Sequence, residues 1–194
     1  APQCAEARYI LRTTAIYNVR TDEIIRRVLS FRYMKEEKSK HDNIAYIDGQ
    51  NLHLGTTSAE SAWTVDLKRF RIYLAKKYDI SKAYYYIGFT NDQNRSLYRY
   101  IQESGFVLVF KPHHETLAST KKGNVDADII FDVMEMMYRS RTSFERVILV
   151  SGDGDYKKLV DFLIKEGAFE KVLFPELKRA SSLYRQITRK YFDD

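Results

Sequence analysis

Cysteine is almost absent from this 194-residue chain: Cys4 is the only one. One thiol forbids an internal disulfide and any cysteine-built zinc site, so a reducing cytoplasmic setting is the expectation. No apolar run approaches the roughly 18 residues of a membrane span, which predicts no transmembrane helix. The opening "APQCAEARYILRTTAIY" lacks the basic start and unbroken apolar stretch of a signal peptide. Proline is scarce, and no low-complexity segment or internal repeat occurs. What is present is an ordinary globular balance of 44% apolar and 30% charged residues, with a net charge of +6 that suits a polyanionic partner.

From residue 44 onward, strand and helix signals alternate. "IAYI" (44–47) is a buried strand cut off by "DGQN". Helical spacing follows in "VDLKRFRIYLAKKY" (65–78), then the aromatic strand "KAYYYIGF" (82–89). A helix over 95–105 leads to the strand "FVLVF" (106–110), and a polar loop follows Pro112. "VDADIIFDVMEMMY" (125–138) is a helix, "RVILVS" a strand, "YKKLVDFLIKEG" a helix and "EKVLF" (170–174) a strand. "SSLYRQITRKYF" (181–192) has the spacing of a last helix, with Leu183, Ile187 and Tyr191 as its buried stripe. Short apolar strands between helices predict a mostly parallel sheet of about five strands with helices on both faces. Residues 1–42 do not fit the alternation. There "TDEIIRRVLSFRYMKEEKSKHDN" predicts a helix capped by Thr21 and running into a charged linker, an arm appended to a domain spanning 43–194. Its apolar side, Ile24, Ile25, Val28 and Leu29, predicts an arm that either packs on the domain or mediates self-association into a homo-oligomer.

Open parallel sheets bind ligands outside the carboxyl ends of their strands. Asp48 follows the first strand, and Asp153 and Asp155 follow "ILVS", so all three lie on one rim. Carboxylates brought together repel one another unless a divalent cation holds them, and oxygen ligands favour Mg²⁺ or Mn²⁺. In the helix after "KKGN", Ile129, Ile130, Val133, Met134 and Met137 form a stripe. At about 100° per residue Asp126 falls within that stripe, Asp128 opposite it and Asp132 about 120° from Asp126. Asp126 is therefore the fourth candidate ligand. Taken singly, Asp48 before Gly49 also reads as a turn, and Asp155 as a helix cap; their convergence on one rim favours a metal site.

Three blocks, "IAYIDGQNL", "KGNVDADIIFDVM" and "VILVSGDGDYKKLVDFLIKEG", together resemble the signature of the NYN domain, a branch of the PIN-like nucleases that includes the LabA-like proteins. The resemblance spans roughly residues 43 to 180. It implies a Rossmann-like three-layer sandwich and divalent-metal-dependent cleavage of RNA, with Asp48, Asn51, Asp126, Asp153 and Asp155 as the catalytic set. Of these, the four aspartates are the implied metal ligands, and Ser151, just before the last pair, is a candidate substrate contact. Asp132 matches an acid often found further along this helix. An extra residue, Asn124, interrupts the usual spacing of the "KG-VD" block.

Lys111, Lys121 and Lys122 on the loop, Lys157 and Lys158 beside the aspartate pair, and Arg185 and Arg189 near the end are the candidate contacts to RNA phosphates. Tyr156 and Tyr184 are candidates for stacking on bases, whereas "YYY" at 84–86 reads as sheet core. His113 and His114 read as exposed loop residues. A haloacid-dehalogenase-type phosphatase needs a second aspartate two residues after the first, where Gln50 stands. A calcium loop needs an acid where Ile164 stands. The remaining alternative is a non-catalytic RNA-binding or assembly module on the same fold.

Overall fold

A computed structural model of the chain describes residues 42–58, 62–88, 92–111 and 125–194. The expected arm, with Lys121, Lys122, His113 and His114, lies outside the described residues. Six strands form one sheet: β1 (Asn43–Asp48), β2 (Ile80–Ile87), β3 (Val107–Phe110), β4 (Val147–Val150), β5 (Phe169–Leu173) and β6 (Phe192–Asp193). Their spatial order is β3-β2-β1-β4-β5-β6, and every neighbouring pair is parallel. The chain thus builds outward from β1 in one direction, then restarts at β4 on the other side. The crevice between the carboxyl ends of β1 and β4 is the switch point of the sheet.

Alternation along each strand assigns the two faces. Ala45 and Ile47 of β1 pack with Ile148 and Val150 of β4 beneath α1 (Gly49–Thr57), α2 (Leu67–Tyr78) and α3 (Arg95–Glu103). Ile44 and Tyr46 pack with Val147 and Leu149 on the opposite face, under α4 (Asp126–Arg139) and α5 (Lys157–Lys165). Both central strands are buried along their whole length, which is why they read as unbroken apolar runs. The three-layer α/β architecture expected from the alternation is the one observed.

Two elements differ from expectation. Residues after Asp48 do not form a simple turn: α1 starts at once, with the Asp48 side chain accepting the Asn51 N–H as its N-cap. Gly49 is needed at that junction, because a Cβ there would stand 2.6 Å from the Tyr86 carbonyl oxygen. The last segment is not one helix. Short 3₁₀ turns at Ser182–Gln186 and Arg189–Tyr191 are separated by Ile187 and Thr188, both extended with ψ of 137°. Phe192–Asp193 then pairs with Val172 and Leu173 of β5. That pairing satisfies the edge of β5, including the Phe174 N–H, which the Asp193 carbonyl accepts at 2.9 Å. Leu183 is consequently 54% exposed, while Tyr184 and Ile187 enter the core.

Candidate metal centre

Asp126 is buried in the first turn of α4, where the partial positive charge of a helix start favours an anion. Its placement agrees with the helical phase read from Ile129 and Val133, which lie fully buried below it. The phase was too generous for Met134, which is 39% exposed and faces outward. Asp128 is half-exposed and lies 3.7 Å from the Lys111 ammonium. Asp132 accepts the Tyr86 hydroxyl at 2.6 Å, deeper along the helix than Asp126 and Asp128.

The loop after β4 is built from its own polar atoms. Ser151 is fully buried, and its hydroxyl accepts the Asp153 N–H at 3.1 Å. Asp153 caps the 3₁₀ turn Gly154–Tyr156 by accepting the Asp155 N–H. Asn51 Oδ1 accepts the Gly152 N–H at 2.8 Å, tying α1 to this loop. Gly154 permits a close approach by the chain's last segment, since a Cβ there would meet the Ser181 hydroxyl at 2.5 Å. From the same segment, Tyr184 donates its hydroxyl to the Asp153 carbonyl at 2.6 Å.

These constraints bring Asp126, Asp153 and Asp155 together: one carboxylate oxygen from each lies within 4.8 Å of the others. Asp48 is not within that trio, but it lines the same cavity of about 270 Å³ together with Gln50, Asn51 and the three acids. Tyr156 joins the two parts of the site. Its buried hydroxyl lies 2.7 Å from Asp126 Oδ1 and 3.2 Å from Asp48 Oδ2. A hydroxyl carries one hydrogen. The two carboxylates share it, Asp126 accepting at the shorter distance and Asp48 at the longer one.

Burial is the main force raising the Asp48 carboxyl above its ordinary range, and the charges of Asp126 and Asp153 add to it. The Asn51 N–H and the Tyr156 hydroxyl partly oppose the shift. The donor set therefore fits a hard divalent cation: all oxygen, all acidic, and gathered where uncompensated charge is costly.

The sign of the Asp48 shift yields a stability prediction. A carboxyl whose pKa is raised on folding binds its proton more tightly in the native state, so its contribution is full below the unfolded value and lost as pH rises through the folded one. At neutral pH, ionised Asp48 thus weakens the metal-free fold. Asp48→Asn keeps the Oδ1 acceptor for Asn51 and removes the charge. It should raise metal-free stability at pH 7 by on the order of 1 kcal/mol, an advantage that shrinks as pH falls toward 4. Urea unfolding at the two pH values in the presence of a chelator measures this directly.

The other expected contacts are dispersed. Lys157 is paired with Asp161 one turn along α5, at 2.6 Å. Lys158 and Arg185 are exposed near the acidic loop. Tyr156 and Tyr184 are buried, so neither offers a face for stacking; each instead uses its hydroxyl to brace the site. Sequence reasoning missed the bracing role of Tyr156, for which the only signal is a tyrosine directly after two acids at a buried helix start.

Among the described residues no helix is long and apolar enough to cross a membrane. A curated relative, the low amplitude and bright protein LabA of Synechococcus elongatus, is 25% identical over 157 residues, covering 76% of this chain and 81% of LabA. A solved structure of a protein of unknown function from Vibrio parahaemolyticus superposes with a TM-score of 0.62 at 25% identity, covering 80% of this chain and 94% of that one. The family model described as the NYN domain matches residues 43–193, which contain the whole sheet and all four acids. The chain belongs to the NYN domain family.

Proposed function

We propose that this protein is a divalent-metal-dependent ribonuclease that hydrolyses phosphodiester bonds of single-stranded RNA. One observation carries the reading: three carboxylates from two separate elements, Asp126, Asp153 and Asp155, converge within 4.8 Å at the switch point of the sheet. A NYN domain with an intact acidic cluster supports the same conclusion. A bound Mg²⁺ or Mn²⁺ supplies an activated water and offsets charge developing on the phosphate oxygens. The chain's own part is positional. Asp126, Asp153 and Asp155 hold the ion, and Asp48 completes the acidic rim. Asn51 has its Oδ1 engaged by Gly152, which leaves its amide nitrogen to donate to substrate. Lys158 and Arg185 lie outside the cluster and can meet the phosphate backbone. Ser151 acts through the loop it braces, and Lys111 and Lys157 through the ion pairs that set the charge around the mouth.

In the same reading, residues 43–194 are the nuclease domain and residues 1–42 a separable arm that mediates self-association. The single cysteine fits action in the reducing cytoplasm. The experiment is to incubate the purified protein with a pool of RNAs and map the cut ends. Cleavage should require Mg²⁺ or Mn²⁺, stop completely with EDTA and resume when metal is restored in excess. Undiminished cutting by chelated protein would overturn the reading, and no cutting under any metal would favour a binding module.

A further inference from the structure

The acidic cavity does not end at the carboxylates. Asn51 and Leu54 also line a second cavity of about 260 Å³, whose other walls include Ser58, Gly152, Glu176 and Arg179. The two cavities thus meet along one side of α1, with acids at one end of the groove and a guanidinium at the other. Arg179 is exposed. It makes no ion pair among the described residues, whereas Arg139 and Arg146 each pair with a glutamate.

The backbone that carries Arg179 is tied to the loop of the acids. Arg179 sits on the 3₁₀ turn Leu177–Arg179, which Glu176 caps by accepting the Lys178 N–H at 3.1 Å. The Arg179 N–H donates to the Glu176 carbonyl at 3.2 Å, and the Ser181 N–H donates to the Gly152 carbonyl at 2.9 Å. Gly152 is in turn bonded to Asn51. One short chain of hydrogen bonds therefore links the turn bearing Arg179, the loop bearing Asp153 and the helix bearing Asn51. A cation carried on a turn that is tied to the acidic loop, across a cavity of about 260 Å³, is the arrangement that a second phosphate of the same strand would need.

Resting on the ribonuclease reading, we infer that the second cavity is a subsite for the nucleotide adjoining the cleaved bond, with Arg179 contacting its phosphate. Arg179 is then a positioning residue that sets substrate affinity, while the ion-holding acids set the chemical step. The guanidinium's planar pair of donors suits a phosphate better than a lysine would.

The test measures equilibrium binding of a fluorescently labelled single-stranded RNA of about twelve nucleotides to the full chain, in EDTA and again in Ca²⁺. Arg179→Ala should weaken binding about tenfold, as loss of one ordered phosphate contact. Arg139→Ala, which removes an equal charge at the other end of α4, should change it less than about twofold, with Mn²⁺ affinity the same in both variants and the parent. Equal effects of the two substitutions, or none from Arg179→Ala, would overturn the subsite. Metal-dependent cleavage that persists with Arg179 indifferent would sink the subsite alone. Arg179-dependent binding without cleavage would sink the catalytic reading alone, and RNA that never binds would sink both.

Discussion

Asp126→Asn should lower RNA cleavage per folded molecule by about 100- to 1,000-fold, equivalent to roughly 3–4 kcal/mol of barrier at about 1.4 kcal/mol per decade. The substitution keeps the shape of the side chain and the Oδ1 that accepts the Tyr156 hydroxyl. It removes the charge of one of three converging carboxylates, which is what a divalent ion is held by. Folding should not suffer, because metal-free Asp126 stands among like charges whose relief is stabilising. Two neighbours on the same helix serve as controls. Asp128→Asn loses only a half-exposed contact to Lys111 at 3.7 Å and should be nearly silent. Asp132→Asn keeps an acceptor for the Tyr86 hydroxyl, and its effect should fall between the other two. Activities at saturating Mg²⁺, normalised to folded protein, give the ranking. Greatest damage from Asp128→Asn would mean that the site is drawn on the wrong face of α4.

Tyr156→Phe should destabilise the metal-free protein by about 2 kcal/mol, the usual cost of taking a hydrogen bond from a buried charged partner. The ring stays, so no cavity opens; what disappears is the hydroxyl shared by Asp126 and Asp48. For a domain of this size the loss corresponds to a fall in Tm of about 4–8 °C. Saturating Mg²⁺ should recover much of it, because a bound cation replaces the positive end of the lost hydroxyl dipole and stabilises the native state by mass action. The signature is therefore a larger metal-induced rise in Tm for the variant than for the parent. An equal rise in both would mean that Tyr156 supports the core without supporting the acids.

The sheet was legible in the sequence because its central strands are buried on both faces, leaving apolar runs such as "VILV" and "IAYI", the latter with Asp48 directly after it. The helical phase of α4 was legible for the same kind of reason. Ile129 and Val133 define a buried direction, and Asp126 shares it. Helix α1 was hidden, since its glycines and threonines mask a stripe of only Leu52 and Thr56. The end of the chain was misread because "SSLYRQITRKYF" has helical spacing, yet pairing of Phe192 and Asp193 with β5 wins over continuing the helix. Tyr156 and Tyr184 illustrate a further limit. A tyrosine beside acids looks the same in sequence whether its ring faces solvent for stacking or its hydroxyl braces a buried carboxylate. Only the packing of three separate segments around the acidic loop decides between them.

The acidic trio should cleave RNA only when it holds a divalent ion. Metal-free protein titrated with Mn²⁺, with bound Mn²⁺ and cleavage rate read from the same samples, tests it most directly. Cleavage should be absent at zero occupancy, rise in step with bound ion, and be lost together with binding on Asp153→Asn. Cleavage at zero occupancy, or Mn²⁺ bound tightly by Asp153→Asn with full activity, would contradict it.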